Sequence, residues 1–430
     1  MIATRLSLNA MSSKTTVIVV GSGIIGISVG LALQKAGFFV RILDKSIPSE
    51  KASEGNAGAF AFSDIVPLAT PGIMRAAPRW LLDPLGPLSI RPSYIFFIAP
   101  WLMKFWRASW SDKYPALMEA QAELMALSRS ALDRQAESYS GEPLLRREGQ
   151  LRLYDSEKSF LESSSYWSAC KAFGIAHTLL KSHEEINEIQ LGIHERFSYA
   201  GYTPDWVNVC DPKLWLRHLR HQFISGGGLI EERRALSLGF ASNLATVRCD
   251  NDELCSDFVV VAAGAWSKSL ALTVGDNIPL ETERGYNTTV ESGGFDLRTH
   301  LTFADHGFVV SKVGSCLRVG GAVELGGLKA PPNFERAKIL LSKAKQFLPQ
   351  MDVGAGQEWM GFRPSMPDSL PVIGSSPKQP RVIYAFGHGH LGLTQSAATA
   401  ELVRDTILGK PWPIASAPFS PSRFAGMLSI

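Results

Sequence analysis

The chain has 430 residues, 43 basic against 40 acidic side chains for a formal net charge of +3, and 45% hydrophobic against 19% charged residues. This balance suits a globular protein of two domains with a sizeable core. It carries no basic block and no basic-aromatic interleaving, which argues against nucleic acid as a partner. Its five cysteines (Cys170, Cys210, Cys249, Cys255, Cys316) make no C-x-x-C pair and no cluster with histidines, so they read as free thiols in a reducing compartment and offer no metal site.

Residues 1–16 are small and polar with Arg5 and Lys14. They lack the apolar run of about 7–15 residues of a secretory signal and are expected to be a disordered extension, with Met11 as an alternative start. Four apolar residues, Val17 to Val20, then predict a buried strand that runs into Gly21-Ser22-Gly23-Ile24-Ile25-Gly26, a G-x-G-x-x-G turn. A helix is predicted over Ile27 to Ala36, capped by Gly37, and a second strand, Phe39 to Leu43, ends at Asp44. In such a unit the first glycine makes the tight turn, the second admits a pyrophosphate, and the third lets helix and strand pack closely. The helix N-terminus offers free N–H groups to that pyrophosphate. Asp44 lies eighteen positions past Gly26, near the spacing of about 20 for a carboxylate that accepts from a ribose hydroxyl. The unit therefore predicts a bound dinucleotide.

Downstream, Ser53-Glu54-Gly55-Asn56-Ala57-Gly58 is a loop of small residues suited to a flat ligand. Residues 70–115 are rich in Pro, Trp and Phe. The apolar stretch Tyr94 to Met103 is interrupted by Pro100 and falls short of the ~20 residues of a membrane span. Trp101, Trp106 and Trp110 are read as core or pocket lining, with a membrane-docking face as the other reading. Leu117, Ala120, Leu124, Leu127 and Ala131 predict one helical stripe between Pro115 and about Ser140, and Gln150 to Tyr154 reads as a strand. Asp211-Pro212 starts a helix, as N-cap and first helical residue, running from Leu214 to Ile224 and ending at Gly226-Gly227-Gly228. Glu253 to Ser267 reads as strand, small-residue turn and helix. Strands are expected across 278–325, including Phe308–Val310 and Cys316–Val319, and a final helix over Thr394 to Leu408.

With these motifs in order, the chain resembles the glycine/D-amino-acid oxidase family of FAD enzymes, and within it the bacterial D-amino-acid dehydrogenases. Five segments carry the resemblance between Val17 and about Gly409: the fingerprint with Asp44, the Ser53–Gly58 loop, Ala262-Ala263-Gly264-Ala265-Trp266, Gly361-Phe362-Arg363-Pro364 with Asp368 to Gly374, and Gly387-His388-Gly389-His390-Leu391-Gly392-Leu393-Thr394. The second nucleotide motif departs from the family in having Ala263-Gly264 in place of Thr-Gly. The resemblance implies an α/β architecture. A Rossmann-like FAD-binding domain would be built from discontinuous segments (17–90, 201–277 and 356–430). An α+β substrate domain with an antiparallel sheet would occupy 91–200 and 278–355.

It further implies that FAD is held by Gly21, Ser22, Gly23, Ile24, Ile25, Gly26, Asp44, Lys45, Ser53, Asn56, Gly58, Ala263, Gly264, Trp266, Gly389, His390, Leu391, Gly392, Leu393 and Thr394. Asn56 would use its amide and Gly58 its backbone against the flavin ring. The helix opened by Gly389–Thr394 would point its N–H groups at the flavin O2 side. Arg363 would bind a substrate α-carboxylate through its planar fork, the alternative being an ion pair with a residue such as Asp368. Tyr286 would supply a phenol to the pocket or pack in the core. His390 would touch substrate, and His388 would be structural. Glu283 and Arg284 are expected to pair with each other and hold their strand, and Glu324 is assigned no chemistry.

The reaction implied is oxidation of a free D-amino acid by hydride transfer from Cα to flavin N5, with no evident general base. D-proline or cis-4-hydroxy-D-proline is the preferred substrate, because the loop and the terminal histidine motif resemble members acting on cyclic D-amino acids. Electrons would pass to a quinone or an electron-transfer protein in a cytoplasmic enzyme, with membrane contact at most peripheral, on the inner membrane. Three alternatives stay open: an NAD-dependent dehydrogenase, which the first fingerprint alone allows; an oxidase using O₂; and a non-catalytic flavoprotein subunit.

Overall fold

The computed structural model describes residues 15–46, 51–73, 88–352 and 354–424. The disordered extension expected over 1–16 lies, up to residue 14, outside the described residues, as does 74–87 of the Pro- and Trp-rich stretch. In chain order the elements that matter here are β1 (Thr16–Val20), α1 (Ile24–Lys35), β2 (Phe39–Asp44), β3 (Ala59–Phe60), α2 (Ile95–Ala108), α3 (Tyr114–Ser138), β4 (Gln150–Tyr154), β5 (Tyr199–Thr203) and α4 (Pro212–Ser225). They continue with β6 (Leu229–Glu232), β7 (Phe258–Val261), β8 (Glu281–Glu291), β9 (His300–Phe303), β10 (Phe308–Val313), β11 (Cys316–Leu325), β12 (Gln357–Ser365), β13 (Val372–Ser375), β14 (Val382–Phe386) and α5 (Gly392–Ile407).

One sheet has the strand order β6-β2-β1-β7-β14-β13. All its neighbours run parallel except β13, which pairs antiparallel with β14. Its central strands are continuous apolar runs because both faces are covered. Val17 and Val19 face α1, α4 and α5 in one core, with Ile27, Leu31, Trp215, Phe223, Leu393 and Leu402. Ile18 and Val20 face a second core with Val259, Val261 and Leu270. Helix α1 starts three residues earlier than periodicity suggests, so Gly26 lies inside its first turn. α4 begins as expected, Asp211 accepting from Lys213 N–H and Pro212 opening the helix.

A nine-stranded sheet builds the second domain in the order β12-β8-β11-β10-β9-β4-β5, extended by Thr178–Leu180, with Leu88–Ile90 beside β11. It is mostly antiparallel. β9 with β4, and Leu88–Ile90 with β11, are parallel pairs, so the sheet is mixed rather than purely antiparallel. Because β12 closes this sheet, the chain returns to the nucleotide domain after Ser365, not at 356, and β5 carries the substrate sheet to Thr203, past 200. The stripe on α3 packs on the nucleotide core as its spacing predicts, Ala120, Leu124 and Ala131 inside and Leu117 and Leu127 at its margin.

α2 continues through Pro100. The ring removes a donor to the Phe96 carbonyl, and Phe96, 88% exposed, stands where water can satisfy that carbonyl. Trp101 packs with Ile98 and Leu325, while Trp106 and Trp110 stack edge to face on the surface, each nearly half exposed. The tryptophans are thus split between core and surface. Among the described residues no helix is long and apolar enough to cross a membrane.

Candidate active site

The fingerprint folds into a cradle. Gly21 is at φ +109°, and a Cβ there would lie 2.4 Å from the Ala262 carbonyl oxygen. A Cβ on Gly26 would lie 1.9 Å from the Gly21 oxygen, so both glycines are fixed by close packing of strand, turn and helix. A Cβ on Gly23 would stand 3.2 Å from Ser53 Oγ. The N–H of Ile24 donates to Ser53 Oγ at 3.0 Å and that of Ile27 to the Gly23 carbonyl. Among the described residues, the N–H groups of Gly23, Ile25 and Gly26 meet no acceptor, the condition for binding an anion at a helix N-terminus.

Asp44 is more occupied than its spacing suggests. Its Oδ2 accepts from the Ser22 N–H (2.7 Å), the Ser22 hydroxyl (2.8 Å) and Lys51 Nζ (2.9 Å), and Oδ1 accepts from Ser46 N–H. Burial pushes this carboxyl up, but Lys51 and Ser22 outweigh it and leave it below the ordinary carboxylate range. A ribose hydroxyl would share Asp44 with Lys51. Lys45 Nζ lies 3.5 Å from the centroid of the Trp266 ring, and Lys45 lines a cavity with Glu232, Arg233, Arg234 and Asp252. These two predicted cofactor residues therefore meet each other, just past the ends of β2 and β7.

The Ser53–Gly58 loop is clamped between the domains. Asn56 spends its amide on its own loop, donating to the Ser53 carbonyl and accepting from Gly58 N–H, each at 2.7 Å. This is an Asx turn, which leaves one amide hydrogen of Asn56 for a ligand. From the other domain Arg318 donates to the Asn56 carbonyl and Asn287 to the Gly55 carbonyl. Gly55 is required by Trp359, whose ring lies 2.2 Å from where a Cβ would stand.

At the C-terminal motif, Gly389 takes φ +54°, and α5 opens with the N–H groups of Gly392, Leu393 and Thr394 without acceptors among the described residues. The Thr394 hydroxyl accepts from Ala61 N–H, tying α5 to the end of β3. His388 is buried against Thr399, its Nε2 2.9 Å from the hydroxyl, and burial pushes it down to about 3, as expected of a structural residue. His390 opens onto a cavity that it lines with Glu283, Ser365, Leu391, Phe105 and Gln121. The surrounding protein, and then the charge of Arg363, push His390 down to about 4, so it is neutral at pH 7. The two sets of free N–H groups, the Gly21–Gly26 cradle and Gly264 with open space in front of it fit a pyrophosphate and an anionic reduced flavin.

β8 and β12 pair so that Glu283 stands opposite Arg363 and Gly285 opposite Gly361. Side chains alternate across a strand, so Glu283 and Arg363 share one face with Gly285. The Arg363 guanidinium lies against Gly285, its Cζ 2.5 Å from where a Cβ would be. Among the described residues this guanidinium makes one long hydrogen bond, to the Ala322 carbonyl at 3.5 Å, and no ion pair. Asp368 is taken by Arg423, with bonds of 2.7 and 3.2 Å. Arg363 is half-buried and keeps most of its donors free. Burial lowers its pKa and Glu283 offsets part of that, and it remains cationic.

One expectation is overturned here, and of the two readings of Tyr286 the structure shows the packed one. Glu283 and Arg284 do not pair, because they lie on opposite faces. Arg284 donates to the carbonyls of Gly327, Ala330 and Pro331. Tyr286 shares the face of Arg284 and is buried, its hydroxyl bonded to Glu324 and accepting from Asn333 N–H. It is not brought to Arg363. Glu324, which also accepts from Arg91 at 2.7 Å, is the hub of that far face. Sequence reading missed that Glu283 lines the cavity beside His390; alternation within Glu281-Thr-Glu-Arg-Gly-Tyr-Asn287 could have separated it from Arg284.

A family model described as FAD dependent oxidoreductase (DAO) matches residues 16–406. A protein of Bradyrhizobium diazoefficiens named D-amino-acid oxidase is 36% identical over 419 residues, covering 95% of this chain and 98% of that one. One of Rhizobium rhizogenes named D-amino acid dehydrogenase is 28% identical, over 95% and 99% of the two chains. Among solved structures, glycine oxidase from Geobacillus kaustophilus superposes with a TM-score of 0.77 at 21% identity, covering 96% of this chain and all of that one. L-proline dehydrogenase from P. horikoshii gives 0.73 at 17%, over 96% and 98%.

Proposed function

We propose that this chain, which belongs to the DAO family of FAD-dependent oxidoreductases, oxidises a free D-amino acid at Cα to the imino acid. The observation that carries the reading is Arg363, a half-buried guanidinium with free donors, paired across the sheet with Glu283, which lines the cavity beside the start of α5. A planar fork of this kind binds a carboxylate through two parallel hydrogen bonds and so fixes both position and orientation. The names of the relatives at 36% and 28% identity support a D-amino acid as its bearer.

FAD supplies the hydride acceptor. The cradle of Gly21 to Gly26 would hold its pyrophosphate, with Asp44 toward the ribose and Lys45 and Trp266 beside the adenine half. The N–H groups of Gly392, Leu393 and Thr394 would stabilise negative charge on the reduced ring. Arg363 anchors the substrate carboxylate, neutral His390 borders the same space, and the Phe105, Val66 and Leu68 side chains keep it apolar. We place D-proline and cis-4-hydroxy-D-proline first among substrates, for their compact rings beside that apolar wall. The acceptor of the electrons we take to be a quinone or an electron-transfer protein.

Anaerobic mixing of the FAD-loaded protein with a panel of D- and L-amino acids, including both cyclic imino acids, tests this reading. Bleaching of the flavin by D forms alone is expected. Bleaching by none of them, with flavin bound, overturns it. A second reading, transfer of electrons to O₂, is favoured by the name of the 36% identical relative. Stoichiometric peroxide in air selects that reading over a separate acceptor.

A further inference from the structure

Resting on that reading, we infer that Glu283 is the partner of the substrate amine: it receives the ammonium group beside the Arg363–carboxylate pair and takes one of its protons. The geometry comes from the pairing of β8 and β12, which sets Glu283 directly across from Arg363 on one face, where facing side chains approach within about 5 Å. Both ends of an α-amino acid zwitterion need an opposite charge at about that separation. Arg⁺ and Glu⁻ side by side supply them without being spent on each other, since the two make no direct ion pair, whereas Arg284 and Glu324 on the far face stand 3.6 Å apart.

Glu283 is buried yet lines the cavity together with His390 and Ser365. Among the described residues lining that cavity, Glu283 is the carboxylate. On β12 stand Arg363 and the Ser365 hydroxyl. In the turn before α5, His388 and His390 are held neutral, at about 3 and about 4. On its own strand Glu281 accepts from Tyr94, and Arg284 points to the far face. Burial raises the Glu283 carboxyl above the usual range, opposed by Arg363 and then Ser365, which moves a carboxylate toward the working pH of a proton acceptor.

The step balances within the known chemistry of the family. The substrate arrives as an ammonium carboxylate, and one N–H proton passes to a Glu283 oxygen. The nitrogen lone pair so released forms the C=N bond as the Cα–H bond breaks, its hydrogen and electron pair leaving to FAD. The product departs as the iminium carboxylate, and Glu283 returns its proton to water.

The test compares wild type, Glu283→Gln and Glu283→Asp as FAD-loaded proteins. In wild type, kcat/KM for the bleaching substrate is expected to level off above an acid limb. In E283Q it should fall by about 10²–10³ at pH 7 and then climb about tenfold per pH unit toward the amine pKa of the substrate, since only free amine reacts. E283D, which keeps the carboxylate, should retain the level profile at reduced rate. Independently, benzoate, a carboxylate with no amine, should bind E283Q at least about fivefold more tightly than wild type, read from the flavin spectrum, because a like charge beside Arg363 has been removed. An unchanged pH profile in E283Q together with unchanged benzoate affinity overturns the inference, whatever the drop in rate. Should no D-amino acid bleach the wild type, the functional reading fails, and the benzoate comparison still decides whether Glu283 faces the ligand of Arg363.

Discussion

Replacing Arg363 by lysine keeps the positive charge next to Glu283 and removes the fork. Arg363 spends one long bond on Ala322, so nearly all its donors remain for a ligand. A hydrogen bond between charged partners contributes about 1.5–3 kcal/mol. Lysine can replace one of the two parallel bonds as a point charge and forfeits the other. The expected loss in carboxylate binding is therefore about 1.5–3 kcal/mol, or about 10- to 150-fold. Titration of the FAD-loaded variant with benzoate gives the dissociation constant directly, and the concentration dependence of anaerobic bleaching gives the same quantity for the substrate. The maximal bleaching rate should fall as well, because one bond lets the substrate pivot. An R363K protein with affinities within about threefold of wild type would refute the assignment of the carboxylate to this side chain.

Gly285→Ala puts a Cβ 2.5 Å from Arg363 Cζ. It should weaken benzoate binding by about tenfold or more while costing about 1–3 kcal/mol of stability through overpacking, measurable by denaturant titration. A variant as stable as wild type with unaltered affinity would show that the guanidinium does not lie across that glycine. Gly26→Ala sets a Cβ 1.9 Å from the Gly21 oxygen and should give protein that leaves gel filtration colourless and melts lower than the wild-type apoprotein. Asp44 titrates below its ordinary value in the folded state. Its contribution is fully present above the unfolded pKa near 3.8 and is lost as pH falls through the folded one. Asp44→Asn should thus be less stable than wild type at pH 7, with the gap narrowing below about pH 4. His300 and His388 are both held near 3 by burial. They stabilise the fold above about pH 6.5 and weaken it as pH falls below that value, so His388→Gln should flatten the decline of the thermal midpoint between pH 6.5 and 4.

The first βαβ unit was legible in the sequence because everything that specifies it is local. An apolar run, three glycines, a C-terminal glycine and a second apolar run lie within thirty residues, and the strands pair in the expected parallel register, Val17 with Val40 and Val20 with Leu43. The Asp211-Pro212 helix start, the α3 stripe and β4 were legible for the same reason. Helix signals act within one or two turns, and strand signals within a few residues. The motif around Arg363 and the glycine turn before α5 also stood out as residue patterns, and the structure brings them to one cavity.

What only the tertiary structure decided depends on partners far away in the chain. Asp368 could have been read as the mate of Arg363 five residues earlier, but Arg423, fifty-five residues later, holds it instead. The Asn56 amide shapes its own loop, bonding to Ser53 and Gly58 where the loop passes between Trp359 and Arg318, a use that no local pattern announced. Above all, the run Glu283-Arg284-Gly285-Tyr286 offers four polar or small residues in a row, and while alternation separates Glu283 and Gly285 from Arg284 and Tyr286, no local signal says which of the two faces carries Arg363. Pairing of β8 with β12 settles it, because strand side chains alternate with a period of two and a slip of one residue would exchange the two faces. In the register observed, Glu283 and Gly285 share the face of Arg363, and Glu283 lines the cavity. Arg284 and Tyr286 turn to Glu324 and the far side of the sheet.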